Sequence, residues 1–277
     1  MAVRYPISRG KAWIVTLVIA HVSDVHIDLV GQHTPEGVRS VRRTRAVMDY
    51  LDQLPYDLDA VLVTGDIADH GEPAEYASAR EVLTSRHPTL ICPGNHDERA
   101  AFRSHLLQST VDGSSQVAPI NQVLRLEHCV IAACDSSVPG KGEGYLDAET
   151  LDWLESVLDH TEPDVPVLVA FHHPPERLHI PFIDEIRQFG AERLAAIGRQ
   201  YPNIAGYLCG HAHTAAATVF ADRPLLVAPG VVSTLRLPWE KRADAQDHVD
   251  RDLPPALAFH VLEDDGRLTT HFRTVML

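Results

Sequence analysis

Five short polar motifs, each set directly behind an apolar, strand-like run, constrain this chain more than anything else in it. They are DVH at Asp24–His26, GD at Gly65–Asp66, GNHD at Gly94–Asp97, HHP at His172–Pro174 and GHAH at Gly210–His213. At Gly94 a residue without Cβ lets the backbone turn sharply off its strand, and an amide, an imidazole and a carboxylate follow on consecutive positions. Five such ends in one chain call for a layered α/β fold, in which ligands collect beyond the carboxyl ends of the strands.

The intervening sequence supports that architecture. The run Trp13–Ser23 is rich in β-branched residues and lacks alternation, as in a strand covered on both faces. Further strands are expected at Asp59–Thr64, Thr89–Cys92, Val165–Phe171 and Ile204–Cys209, and a hairpin over Gln122–Leu126 and Cys129–Ala133. Thr34–Leu54 has helical spacing, with Val41, Met48, Leu51 and Leu54 on one side; the arginines of Arg39–Arg45 are expected on a solvated face. Pro73 opens a helix to about Arg86, Glu98–Leu107 is a short helix, and Asp147 caps a helix carrying Leu151, Leu154 and Leu158. Ala191–Ile197 is helical, and the remainder is strand-rich: Ala215–Phe220, Leu225–Val227, Ala256–Leu262 and Leu268–Val275. The expectation is a single domain over residues 1–277 with mixed sheets, and irregular segments near 176–190 and 238–255 that cap a pocket, together with Ser136–Gly144.

Composition excludes some functions. With a formal net charge of −14 and no basic block beyond Arg39–Arg45, a duplex-binding surface is not expected, because phosphate contacts need clustered cations. No run is long enough to span a membrane, and Trp13–Ala20 runs into the first motif without a small-residue break, so it reads as a strand rather than an export signal. Cys92, Cys129, Cys134 and Cys209 form no CxxC pair and read as buried thiols of a cytoplasmic protein.

The motifs supply Asp24, His26, Asp66, Asn95, His172, His211 and His213: oxygen and nitrogen donors with no thiolate, suited to Mn, Fe or Zn. Seven donors exceed what one ion takes and suit two divalent ions sharing a carboxylate, about 3.5–4 Å apart. In extended backbone residues i and i+2 face the same side, so Asp24 with His26, and His211 with His213 if that stretch stays extended, can face one ion, and the members of a pair need not choose the same one. A lone DxH, GD or HxH is common by chance; their joint occurrence at successive strand ends is not.

The ordered set DVH, GDIAD, GNHD, HHPP, GHAH resembles the calcineurin-like metallophosphoesterase superfamily from Ser23 to about Val232. The resemblance implies a four-layer α-β-β-α sandwich of two mixed sheets. It also implies one ion held by Asp24, His26, Asp66 and His213 and another by Asp66, Asn95, His172 and His211, with Asp66 bridging. His173 stands open as an exchange partner for His172. His96 matches the family's histidine that contacts the phosphate or protonates the leaving oxygen, which is sound chemistry for a group that titrates near neutral pH. Asp69 and Asp97 are candidates to orient ligand imidazoles through their second nitrogen. Asp184 is a candidate contact to a substrate hydroxyl, or a helix N-cap. The implied activity is metal-dependent hydrolysis of a phosphoric diester by a metal-bound hydroxide. Similarity is greatest to bacterial cyclic-nucleotide and glycerophosphodiester phosphodiesterases; a phosphatase or nuclease of the same superfamily and a non-catalytic metal scaffold are the alternatives. The resemblance is compatible with a homo-oligomer.

Overall fold

The computed structural model describes residues 16–28, 35–109, 117–240 and 248–277. In chain order the elements are β1 (Thr16–Val22), α1 (Pro35–Asp52), β2 (Ala60–Thr64), α2 (Pro73–Val82), β3 (Thr89–Cys92), α3 (Arg99–Ala101), β4 (Gln122–Arg125), β5 (Val130–Ala133), β6 (Gly144–Tyr145) and α4 (Ala148–Asp159). They continue with β7 (Val167–Ala170), α5 (Pro181–Glu185), β8 (Gln188–Phe189), α6 (Glu192–Gln200), β9 (Ile204–Cys209), β10 (Ala216–Phe220), β11 (Arg223–Val227), β12 (Thr234–Leu235), β13 (Val249–Asp250), β14 (Ala256–Glu263) and β15 (Leu268–Thr274). The segment expected as helix over Glu98–Leu107 divides into α3, capped by the Glu98 carboxylate, and a π-helical turn over Phe102–Leu106. Of the expected first strand, Trp13–Val15 lie outside the described residues, as do residues 241–247 of the segment near 238–255.

Two mixed sheets form the centre, ordered β15-β14-β1-β2-β3 and β10-β11-β9-β7-β5-β4. Strands β1, β2 and β3 run parallel, as do β5, β7, β9 and β11, while β14, β15, β4 and β10 pair antiparallel. The period of two along each strand sorts its side chains between two cores. Leu17 and Ile19 of β1 and Leu62 of β2 meet Ile131, Leu168 and Leu208 between the sheets. Ala20 and Val22 face outward to Val47, Met48 and Leu51 of α1. On the far side Val167 and Val169 of β7 pack under Leu151, Leu154 and Leu158 of α4 and Leu194 and Ile197 of α6. This is the expected α-β-β-α order, and it explains the lack of alternation in the sequence: a strand with helices on one face and a second sheet on the other is apolar on both.

The expectation of a solvated arginine face on α1 requires correction. Arg43 is buried, donating from Nε to the Val231 carbonyl at 2.7 Å and from an Nη to the Leu253 carbonyl at 2.7 Å. Its acceptors are backbone oxygens some two hundred residues further along, which side-chain periodicity does not register.

Candidate functional site

The parallel strands bring Asp24, Asp66, Asn95, His172 and His211 to one edge, just past the ends of β1, β2, β3, β7 and β9. Backbone hydrogen bonds lace the strand ends together: Asp24 N–H to the Gly65 carbonyl at 3.2 Å, His26 N–H to the Asp66 carbonyl at 2.9 Å and Gly210 N–H to the His172 carbonyl at 3.0 Å. Beyond the strands the backbone is not extended. Asp24, His26, Asp66, His211 and His213 all have positive φ, between 42° and 68°. Left-handed backbone at a non-glycine residue costs on the order of 1–3 kcal/mol, and such strain gathers at functional sites. The DxH and HxH pairs therefore converge through left-handed turns and not through the i, i+2 alternation of a strand.

Asp24, His26, Asp66 and His213 each offer a ligand atom, all within 4.8 Å of one another. Asp66 lies at the centre: its Oδ2 is 3.4 Å from His26 Nε2 and 3.3 Å from His172 Nε2. His211 Nδ1 is 3.3 Å from His172 Nε2, and His26 Nε2 is 3.2 Å from His213 Nε2. Buried without hydrogen-bond partners are Asp24 Oδ1, Asn95 Oδ1 and His211 Nε2. Four ring nitrogens crowded pairwise at 3.2–3.3 Å, and buried polar atoms left without partners, are costly in isolation. Divalent cations among them would satisfy all of these groups, so the residues fit a metal centre.

The surrounding bonds fix which ring nitrogen faces inward. His26 Nδ1 is 2.9 Å from Asp69 Oδ1, so Asp69 orients an imidazole as the sequence suggests. His172 Nδ1 donates to the Thr64 carbonyl at 2.7 Å, and His213 Nδ1 is 2.8 Å from Ser233 Oγ. Proximity alone does not separate His173 from His172, since His172, His173 and His211 also share a 4.8 Å neighbourhood. Their Nε2 atoms differ in surroundings: that of His172 lies 3.3 Å from Asp66 Oδ2, whereas that of His173, whose Nδ1 is engaged by Ser136 Oγ at 2.9 Å, is buried without a hydrogen-bond partner.

Two expectations are corrected. Among the described residues Asp97 makes no hydrogen bond to an imidazole; it accepts the amides of Ile67, Ala68 and Gly94 at 2.8–3.1 Å and the Tyr76 hydroxyl at 3.1 Å, pinning the Asp66 loop to the GNHD turn. Asp184 lies outside the site cavity, and the N-cap of α5 is Ile180; its carboxylate accepts the Leu178 amide at 2.8 Å and so braces the segment itself. Ser233, Ser136 and the Thr64 carbonyl carry no sequence signal as partners of the histidines, because serines and carbonyls occur everywhere along a chain.

Electrostatics follow the packing. Burial lowers the basicity of His26, but the Asp69 hydrogen bond and the Asp66 and Asp24 charges outweigh it and raise the imidazole to about 9. For His172 burial is likewise overcome, chiefly by Asp66, again to about 9. Burial takes His213 down to about 4. Protons on His26 and His172 thus occupy the places that cations would take.

His96 is partly exposed on the cavity, its ring edge-on to His26 at 4.7 Å, with Nδ1 2.8 Å from the Asp69 carbonyl. The cavity, about 600 Å³, continues from these groups to an apolar wall of Phe182, Ile183, Ile186, Leu235 and Val249. Residues 178–190 contribute three of those side chains, Gly142 brings the segment 136–144 to the same cavity, and Val249 and Arg251 line it from the later part of the expected 238–252 segment. No helix among the described residues is long and apolar enough to cross a membrane.

The fold has clear counterparts among solved structures. A dimetal phosphatase from Danio rerio superposes with a TM-score of 0.64 over 94% of this chain and 99% of that one, at 13% identity. The purple acid phosphatase PPD1 of yellow lupin gives 0.63 over 94% of this chain and 51% of that chain, at 13% identity. In sequence, the glycerophosphodiester phosphodiesterase GpdQ of Enterobacter lignolyticus is 31% identical over 246 residues, 88% of this chain and 86% of that protein. A 3′,5′-cyclic-nucleotide phosphodiesterase from Nostoc is 34% identical over 198 residues, 70% of this chain and 71% of that protein. The profile of the calcineurin-like phosphoesterases matches residues 17–215, from the first strand through all five motifs. With the sandwich, the strand-end cluster and that match in agreement, this chain belongs to the calcineurin-like phosphoesterase family.

Proposed function

We propose that the protein is a dinuclear, metal-dependent phosphodiesterase acting on a small diester, foremost a 3′,5′-cyclic nucleotide. The observation that carries this reading is the position of Asp66, one carboxylate oxygen of which lies between the Nε2 atoms of His26 and His172 at 3.4 and 3.3 Å. That is a bridging arrangement. Asp24, His26 and His213 complete one side of it, and Asn95, His172 and His211 the other. The oxygen and nitrogen donor set suits Mn, Fe or Zn. When bound, such ions lower the pKa of water and offset the charge that builds on the phosphoryl oxygens.

The chain's own groups take the remaining tasks. Asp69 holds His26 by its carboxylate and His96 by its carbonyl, so one residue aligns a ligand and the candidate proton donor. With Nδ1–H donated to that carbonyl, His96 delivers a proton from Nε2 as the imidazolium, ending as the neutral ring while the leaving alkoxide becomes an alcohol. The apolar wall of Phe182, Ile183 and Ile186 suits the flat face of a nucleobase better than a glycerol, which favours the cyclic nucleotide. A glycerophosphodiester is the second reading, favoured by the longer alignment with the GpdQ protein. The four buried, unpaired cysteines suit a reducing, cytoplasmic setting.

The test is a substrate panel with protein reconstituted in Mn²⁺ and in Zn²⁺: cyclic AMP, glycerophosphoethanolamine, p-nitrophenyl phosphate and duplex DNA. We expect kcat/KM to be highest for cyclic AMP. Preference for glycerophosphoethanolamine would select the second reading, and preference for the monoester or DNA would overturn both.

A further inference from the structure

Between the sheets, on the face of β1 that carries Leu17 and Ile19, His21 stands where an apolar residue is expected. It is fully buried, as is His260 of β14, whose Nε2 lies 3.0 Å from His21 Nδ1. His260 Nδ1 is 2.8 Å from the hydroxyl of Thr270, on the edge strand β15. At the other end His21 Nε2 is 2.7 Å from Thr64 Oγ1, which lies 2.9 Å from Ser23 Oγ. Ser23 Oγ in turn is 2.8 Å from the Thr64 carbonyl oxygen, the same oxygen that receives His172 Nδ1–H at 2.7 Å.

Counting protons gives this row one direction. A carbonyl only accepts, so Ser23 must donate to it. The Ser23 hydroxyl proton being used, Thr64 must donate to Ser23, and Thr64 Oγ1 must then accept from His21 Nε2–H. A neutral His21 has a lone pair at Nδ1, so His260 donates from Nε2 and accepts the Thr270 hydroxyl at Nδ1. Burial keeps both rings neutral, taking His260 down to about 3 and His21 well below its usual value. Five hydrogen bonds therefore point the same way, across the four strands β15, β14, β1 and β2 of one sheet, to the carbonyl that orients His172. Hydrogen bonds aligned in this way polarise and strengthen one another. An apolar pair would fill the same space without desolvating two imidazoles; what the imidazoles add is direction.

We propose that His21 and His260 are positioning residues for His172, fixing through Thr64 and Ser23 the carbonyl that holds the His172 ring with Nε2 toward Asp66. This rests on the reading of His172 as a metal ligand.

The test compares His260→Leu with His260→Gln in the full chain stripped by chelator and titrated calorimetrically with Mn²⁺. Leucine breaks the row, whereas glutamine keeps one acceptor and one donor. For His260→Leu we expect the weaker of two binding steps, or the one lost in His172→Ala, to weaken about tenfold, the lower end of the range for groups that orient metal ligands. The other step should not change. His260→Gln should recover most of the loss, and hydrolysis by His260→Leu at limiting Mn²⁺ should be restored by excess Mn²⁺, which simple structural damage would not allow. Unchanged affinities in a folded His260→Leu, or equal losses with leucine and glutamine, overturn the proposal. Should His260→Leu not fold, Thr270→Val breaks only the outermost bond, at a partly buried site; a smaller weakening of the same step supports the proposal, and none overturns it. If His172→Ala still binds two ions, it is the metal-ligand reading that falls.

Discussion

Replacing Gly94 with alanine isolates the role of close packing at the bridging carboxylate. A methyl group there would lie 2.9 Å from Asp66 Cγ and closer still to Asp66 Oδ1 and N, against 3.4–4 Å for an ordinary contact. Asp66 has no easy retreat, because its Oδ1 accepts the His96 amide at 3.0 Å and its carbonyl accepts the His26 amide at 2.9 Å. Either the carboxylate or the GNHD turn must therefore move by roughly 0.5–1 Å, a strain of about 1–3 kcal/mol, as for other overpacked interiors. A domain of this size loses ~2–4 °C of Tm per kcal/mol, so the variant should remain folded at 25 °C. Misplacing a reacting group by about 1 Å costs about a hundredfold in rate. We expect Gly94→Ala to melt a few degrees early, to bind metal more weakly and to hydrolyse bis(p-nitrophenyl) phosphate about a hundredfold more slowly. Wild-type turnover and metal content in a folded Gly94→Ala protein would refute the argument that this contact sets the Asp66 position.

Other expectations concern single bonds. Ser233→Ala removes the partner of His213 Nδ1 and should weaken metal binding about 10–100-fold with little effect on folding, measured by Mn²⁺ titration. His96→Ala should leave metal stoichiometry intact and slow alkyl esters more than nitrophenyl esters; equal losses for both would count against proton donation. The buried His260 ring, lowered to about 3 in the fold against about 6.5 unfolded, leaves the native state with fewer bound protons between those values. Stability of the apoprotein should therefore fall as pH drops through that window, by roughly 2 kcal/mol from this ring between pH 6.5 and 5. Urea denaturation at both pH values should show a flatter dependence in His260→Gln.

The sequence discloses some of this site because chemistry there is written in residue types at strand ends. Asp24, Asp66 and His172 follow apolar runs whose strand character is set by burial on two faces, so their convergence follows from the layered fold. For the DxH and HxH pairs the sequence suggests strand alternation, whereas left-handed turns aim His26 and His213. Asp97 illustrates a second limit. A carboxylate beside a ligand can orient an imidazole or clamp backbone amides, and only the turn geometry decides that Asp97 does the latter while Asp69 does the former. Arg43 and Ser233 were illegible for another reason. Their partners are a distant carbonyl and a distant imidazole, chosen by the tertiary fold and not by any local pattern.

The central claim, a pair of ions bridged by Asp66 that serves phosphodiester hydrolysis, is tested most directly by titrating the chelator-stripped protein with Mn²⁺ while following bis(p-nitrophenyl) phosphate hydrolysis. Activity is expected to climb to a plateau at two ions per chain and to be abolished in Asp66→Ala. A plateau at one ion, or two ions bound without hydrolysis, would contradict it.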